Sequence, residues 1–138
     1  MRAKEAMNSI LQIKNKLEPC LRKVSNLTAA YVLGSAVDGR MRPGSDIDIA
    51  VLIDAGKEIS ITERIRISSE LEKCIKMPID LGILTTNNLI YAREAITTGV
   101  CIFCRDKFKR DLFAATALGL YLQLREERKE IEDAYRTR

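Results

Sequence analysis

At 138 residues the chain has the length of one domain, residues 1–138, able to bury a core but not to hold a second catalytic unit. Apolar residues make up 46% and charged residues 30%, an ordinary globular balance, while aromatics reach only 5% and Trp is absent, so the core must rest on Ile, Leu, Val and Ala. The net charge of +4 favours anionic ligands without marking a nucleic-acid binder, and the absence of any histidine excludes Ser-His-Asp and Cys-His nucleophiles, histidine bases and histidine-held zinc.

The first predicted element is an amphipathic helix over residues 3–18, with Met7, Ile10, Leu11, Lys14 and Leu17 at helical spacing and Pro19 marking its end. Its polar interruptions exclude a secretory signal, and no run of about 20 apolar residues exists to span a membrane. A cytoplasmic protein with four reduced cysteines, Cys20, Cys74, Cys101 and Cys104, is the expectation. A short apolar strand, Ala29–Leu33, then runs into Gly34-Ser35 and a loop punctuated by Gly39, Pro43 and Gly44.

Residues 45–54 read as a central strand with acids at its start. Ser60-Ile61-Thr62-Glu63 has the form of a capping box and opens a helix to about Lys76, with Ile61, Ile65, Leu71 and Ile75 on its apolar side. A third strand covers residues 78–84 and contains Asp80. Thr86, Asn87 and Asn88 precede a helix over residues 89–98, closed by Gly99. Residues 100–104 form a fourth strand whose Cys101 and Cys104, three apart, are expected on opposite faces as plain buried thiols. From residue 107 a long helical pattern runs to the end, with a break expected near Gly119 and an almost wholly charged last part.

Chemistry concentrates in Gly34 to Asp48. Asp46 and Asp48 are two apart on a strand and so share a face, while Ile47, Ile49, Val51 and Ile53 point into the core. Two carboxylates so close repel unless a cation sits between them, and oxygen ligands suit magnesium. If the strand of Asp80 pairs beside the first, three carboxylates converge, enough to hold two ions about 3.5–4 Å apart for in-line displacement at phosphorus. Gly34-Ser35 lets phosphate approach the backbone, and Arg40 and Arg42 in the following loop can neutralise phosphate oxygens.

Gly34-Ser35, ten residues, Asp46-Ile47-Asp48 and the later Asp80 together resemble the polymerase-β-type nucleotidyltransferase superfamily. The fuller string GSxxxGxxxxxSDIDIxV, Gly34 to Val51, resembles its minimal members, and the similarity extends to length, element order and C-terminal helix. The resemblance implies an α/β nucleotidyltransferase fold: a small mixed sheet carrying the acids at one edge, helices packed around it and a long C-terminal helix. It implies that Asp46, Asp48 and Asp80 hold two magnesium ions, that Asp80 helps deprotonate an acceptor hydroxyl, and that Gly34 and Ser35 bind the terminal phosphates of a nucleoside triphosphate.

Minimal members commonly serve as antitoxins that transfer AMP from ATP to a tyrosine of a HEPN-type toxin, which makes such a toxin the expected partner; nucleic acid is not expected as a direct substrate. Two alternatives stand beside this reading: transfer to a small molecule such as an antibiotic, and an antitoxin that acts by binding alone. One departure bears on the choice. Where such proteins often carry an arginine-rich GSRARG, this chain has Ala36-Val37-Asp38-Gly39, its arginines displaced to Arg40 and Arg42.

Overall fold

The computed structural model describes residues 2–34 and 45–136. The helices are α1 (Arg2–Arg22), α2 (Ile61–Ile75), α3 (Leu89–Thr98) and α4 (Lys107–Arg136), and the strands β1 (Leu27–Leu33), β2 (Ile47–Ile53), β3 (Ile79–Ile83) and β4 (Val100–Cys104). The strands form one sheet in the order β3-β2-β1-β4. β1 runs antiparallel to both β2 and β4, whereas β2 and β3 are parallel. The parallel pair follows from the helix between them: a crossover returns the chain to the end where β2 began. This is the mixed α/β sheet expected. No helix among the described residues is long and apolar enough to cross a membrane.

The sheet is covered on both faces. On one, Ile47, Ile49, Val51 and Leu81 meet Ile13, Leu17 and Leu21 of α1 and Ile67, Leu71 and Ile75 of α2. On the other, Ala29, Tyr31, Leu33, Ala50 and Leu52 meet Ala95 of α3 and Phe113 of α4. The period-2 alternation of β2 therefore sends its isoleucines to one layer and Asp48 to the other.

Five sequence expectations are corrected. First, α1 passes through Pro19 and ends at Arg22. An interior proline costs about 3 kcal/mol, but Leu17 and Leu21 on either side of it are both fully buried. Each contributes roughly 1.5–3 kcal/mol by burial, so packing outweighs the lost hydrogen bond. Arg105 adds to this end of the helix, donating to the carbonyls of Arg22 (2.6 Å), Val24 and Leu27 (3.0 Å each). A cation at a helix C-terminus satisfies its orphan carbonyls. Second, the buried stripe of α2 is Ile67, Leu71 and Ile75, while Ile61 and Ile65 are 79% and 61% exposed. The N-cap itself forms as read: Ser60 Oγ accepts from Glu63 N–H at 3.1 Å.

Third, α1 and α2 lie side by side and bring Cys20 and Cys74 together as a disulfide, leaving only Cys101 and Cys104 as free thiols. Fourth, Cys101 and Cys104 lie on the same face. The register between β1 and β4 shifts between Ala30 and Tyr31, pairing Ala30 with Phe103 and Tyr31 with Cys101. That bulge turns Ile102 and Phe103 both into the first layer and both cysteines into the second. The break expected near Gly119 is also absent: α4 runs unbroken, with open space beside Gly119. A single solvent-facing glycine costs a helix about 1 kcal/mol, too little to end it.

β3 is an edge strand, and α2 covers its free side with polar side chains four residues apart. Arg64 donates to Leu81 O, Ser68 Oγ donates to Ile79 O at 3.4 Å, and Glu72 Oε1 accepts from Ile79 N–H at 3.1 Å. The i, i+4, i+8 spacing places all three on one helix face along the strand, which blunts an otherwise adhesive edge.

Candidate active site

Parallel pairing sets Asp48 directly opposite Asp80, with Ile47 facing Ile79 and Ala50 facing Gly82. On β2's other side Asp48 faces Leu33, the residue before Gly34. Gly34, Asp48 and Asp80 thus follow one another across three adjacent strands, which lie about 4.8 Å apart. They line one cleft of about 470 Å³ whose further wall includes Arg64, Gly82, Asn88, Tyr91 and Glu94. The condition attached to Asp80 in the sequence is met, because its strand does pair beside that of Asp48. Asp46 is exposed, immediately ahead of β2, and is not among the residues lining the cleft, though its charge acts on Asp48. Ser35, Arg40 and Arg42 lie outside the described residues.

Burial pushes the Asp48 carboxyl above its ordinary range, and the neighbouring Asp80, then Asp46, push it the same way. Its carboxyl is within hydrogen-bond reach of that of Asp80. Burial raises the Tyr91 phenol too, with Asp80 and Asp48 adding to the shift and Arg64 opposing it. Asp48, Asp80 and Glu94 face a single described cation, Arg64, across this cleft. Among the described residues no three carboxylates converge as a ready-made metal cluster. The donor set nonetheless fits a hard cation. It is all oxygen, and positive charge between the paired aspartates would relieve their repulsion.

Gly34 has φ of +70°, and a Cβ there would run into Asp48 Oδ2. Glycine is required twice over at this position, for the left-handed backbone and for the space the carboxylate occupies. Gly82 has a similar role one row along the sheet, since a Cβ would strike the Tyr91 hydroxyl. Ala50 and Gly82 leave a trough on the sheet surface, and Tyr91 fills it. The ring is delivered there by the start of α3, where Asn88 Oδ1 accepts from Tyr91 N–H at 3.2 Å.

Of the residues lining the cleft, sequence reasoning named Gly34, Asp48 and Asp80 but not Arg64, Tyr91 or Glu94. Gly82, two residues after Asp80 within an apolar strand, was the available signal, because a glycine inside a strand often marks a close approach. Arg64 carried none: on α2 it reads as one more solvated charge.

A family model described as polymerase beta, nucleotidyltransferase, matches residues 15–108. The protein adenylyltransferase MntA of Shewanella oneidensis is 28% identical over 121 residues, covering 87% of this chain and 85% of that protein. Among solved structures, a toxin–antitoxin complex with AMP-PNP superposes with a TM-score of 0.73 at 27% identity, covering 88% of this chain and 96% of that one. A tri-AMPylated Shewanella oneidensis HEPN toxin in complex with its MNT antitoxin gives a TM-score of 0.69 at 25% identity, covering 91% and 97%.

Proposed function

The chain belongs to the polymerase-β-type nucleotidyltransferase family, and from that premise we propose that it transfers AMP from ATP to a tyrosine hydroxyl of a HEPN-type toxin and so serves as that toxin's antitoxin. The observation that carries this is the placement of Asp48 beside Asp80 in a cleft that opens at Gly34. Relatives that share this fold are an adenylyltransferase and antitoxins in complex with HEPN toxins. The protein acts as a single domain in the cytoplasm.

Asp46, Asp48 and Asp80 hold two magnesium ions in this reading. Bound there, the metal supplies positive charge to the phosphoryl oxygens during displacement. The remaining work falls to the chain. The bare backbone at Gly34, with Ser35, receives the terminal phosphates, and Arg40 and Arg42 offset their charge. Asp80 takes the proton of the incoming hydroxyl, whose oxygen bonds to the α-phosphorus as pyrophosphate departs on the Gly34 side. Since the related HEPN toxin is tri-AMPylated, the same cleft is proposed to act more than once on one acceptor.

Incubation of the purified protein with its toxin, ATP and magnesium tests this by intact-mass spectrometry of the toxin. Mass steps of one AMP residue are expected, and none with Asp48→Asn. A toxin that is bound and inhibited yet unmodified would replace this reading with inhibition by binding alone.

A further inference from the structure

One side of α4 is bound into the fold and the other is not. Phe113, Ala117 and Tyr121, spaced one turn apart, hold the helix to the domain. Phe113 packs on the second layer, Ala117 is buried, and the Arg93 guanidinium of α3 lies 5.0 Å from the centre of the Tyr121 ring. On the opposite side Phe108, Leu112, Ala115, Gly119 and Leu122 are all exposed, the three large ones at 75%, 55% and 57%. Their alternating steps of four and three form a heptad seam, which turns one continuous stripe towards a neighbouring helix. A continuous apolar stripe of this kind marks an interaction surface where scattered apolar residues do not. Gly119 sharpens the reading. A glycine inside a helix costs about 1 kcal/mol. Among the described residues a Cβ here would meet nothing within 4 Å, so the domain itself does not require one.

The stripe is complementary to itself in reverse. Leu112, Ala115, Gly119 and Leu122 read large, small, small, large in either direction, at steps of three, four and three. Two copies laid antiparallel about a two-fold axis between Ala115 and Gly119 therefore set Leu112 of each against Leu122 of the other, and Ala115 against Gly119. Small residues at the middle of the seam let the helix axes approach to about 8 Å. Beside the seam the same register brings Asp111 of each copy to Arg125 of the other, and opposite charges flanking a seam set its orientation. Both side chains are exposed. Asp111 accepts from Arg110 Nε at 3.1 Å and is still 57% exposed. Within one chain Asp111 and Arg125 stand about 21 Å apart along the helix and cannot pair. A parallel arrangement would stack Asp111 on Asp111 and Arg125 on Arg125, which like-charge repulsion disfavours.

We propose that this face of α4 is the contact between two copies of the chain, paired antiparallel across Ala115 and Gly119. Such a contact uses the same patch on both copies and closes at two. From Phe108 to Leu122 the seam is only about 21 Å long, so the contact belongs to the small, reversible class of interfaces and not to the obligate one. The proposal stands on the helix alone and does not depend on the transfer reaction.

Sedimentation equilibrium of the purified full-length protein, without toxin or nucleotide, tests it over concentrations from about 1 μM to about 1 mM. A reversible monomer–dimer equilibrium is expected. Gly119→Gln, which puts a helix-favouring but bulky side chain at the middle of the seam, should keep full helicity by circular dichroism and weaken the dimer by about tenfold or more. Asp111→Arg and Arg125→Asp should each weaken it several-fold, and the two together should restore it to within about twofold of the unmodified sequence. That rescue belongs to the antiparallel register, because no other pairing of the seam brings these two positions together. A monomer throughout the range, a dimer indifferent to Gly119→Gln, or a double variant no tighter than the single ones overturns the proposal. A chain that is monomeric alone but loses capture of its toxin with Gly119→Gln also overturns it, and gives this face to the toxin.

Discussion

Replacing Gly34 by alanine separates backbone strain from damage to the site. Gly34 and Gly56 both have positive φ, +70° and +78°. An alanine forced into the left-handed region costs roughly 1–2 kcal/mol at either position. The two differ in what the added methyl meets. At Gly56 there is nothing within 4 Å, whereas at Gly34 the Cβ would overlap Asp48 Oδ2. Gly56→Ala should therefore lose about 1–2 kcal/mol in urea unfolding and keep its transfer rate. Gly34→Ala should lose at least as much stability and also displace the Asp48 carboxylate. Misplacing a reacting group by about 1 Å can cost on the order of 100-fold, so transfer to the toxin should fall by that factor or more. Rates are to be measured below the onset of melting, with folding followed by circular dichroism. Gly34→Ala transferring within a few-fold of the unmodified sequence would refute the argument. So would equal loss of rate in both variants, because then backbone strain and not the collision would govern the effect.

Three further outcomes are expected. Because burial and the neighbouring carboxylates raise Asp48, its charged form is disfavoured in the folded metal-free protein; that penalty is present at neutral pH and relieved on acidification through its folded pKa. Asp48→Asn should accordingly raise metal-free stability by roughly 1 kcal/mol, the Coulomb energy of a close unit pair in water, and a lower melting temperature would count against the paired geometry. Tyr31, pushed up to about 12 chiefly by burial, keeps its proton in the folded state after the unfolded chain has begun to lose it near 10. Stability should fall by about 2–3 kcal/mol as pH rises through that window, and Tyr31→Phe should remove the highest-pH step of the tyrosinate absorbance titration; an unchanged titration would contradict the burial. The Cys20–Cys74 bridge closes a separation of 54 residues, worth about 4 kcal/mol in the chain-entropy account. Reductant should lower the melting temperature by on the order of 10 °C, Cys20→Ser should melt low with or without it, and coincident melts of the unmodified protein in both conditions would show that the bridge does not form.

Much of the site was legible because its signals are local. Asp46 and Asp48 sit two apart on a β-branched run, Asp80 interrupts another, and Gly34-Ser35 follows a short apolar strand. Periodicity, capping residues and the absence of histidine were enough to propose oxygen-held metal and phosphate chemistry, and α3 and β4 fell on the residues read for them. What the chain alone could not decide depends on contacts between distant segments. Whether Asp80 joins Asp48 rests on a parallel pairing across the α2 crossover, since strand order is not written in alternation. Pro19 reads as a helix end until the burial of Leu17 and Leu21 is weighed against it. The two faces assigned to Cys101 and Cys104 were undone by a bulge that exists only against β1. Arg64 looks like a surface charge until α2 is laid along the edge of β3, and Tyr91 like a helix residue until the gap at Gly82 takes its ring. Composition and local period thus determined the elements and the acids they carry. Tertiary packing determined which of them meet, because burial and pairing energies are collected between segments and not within them.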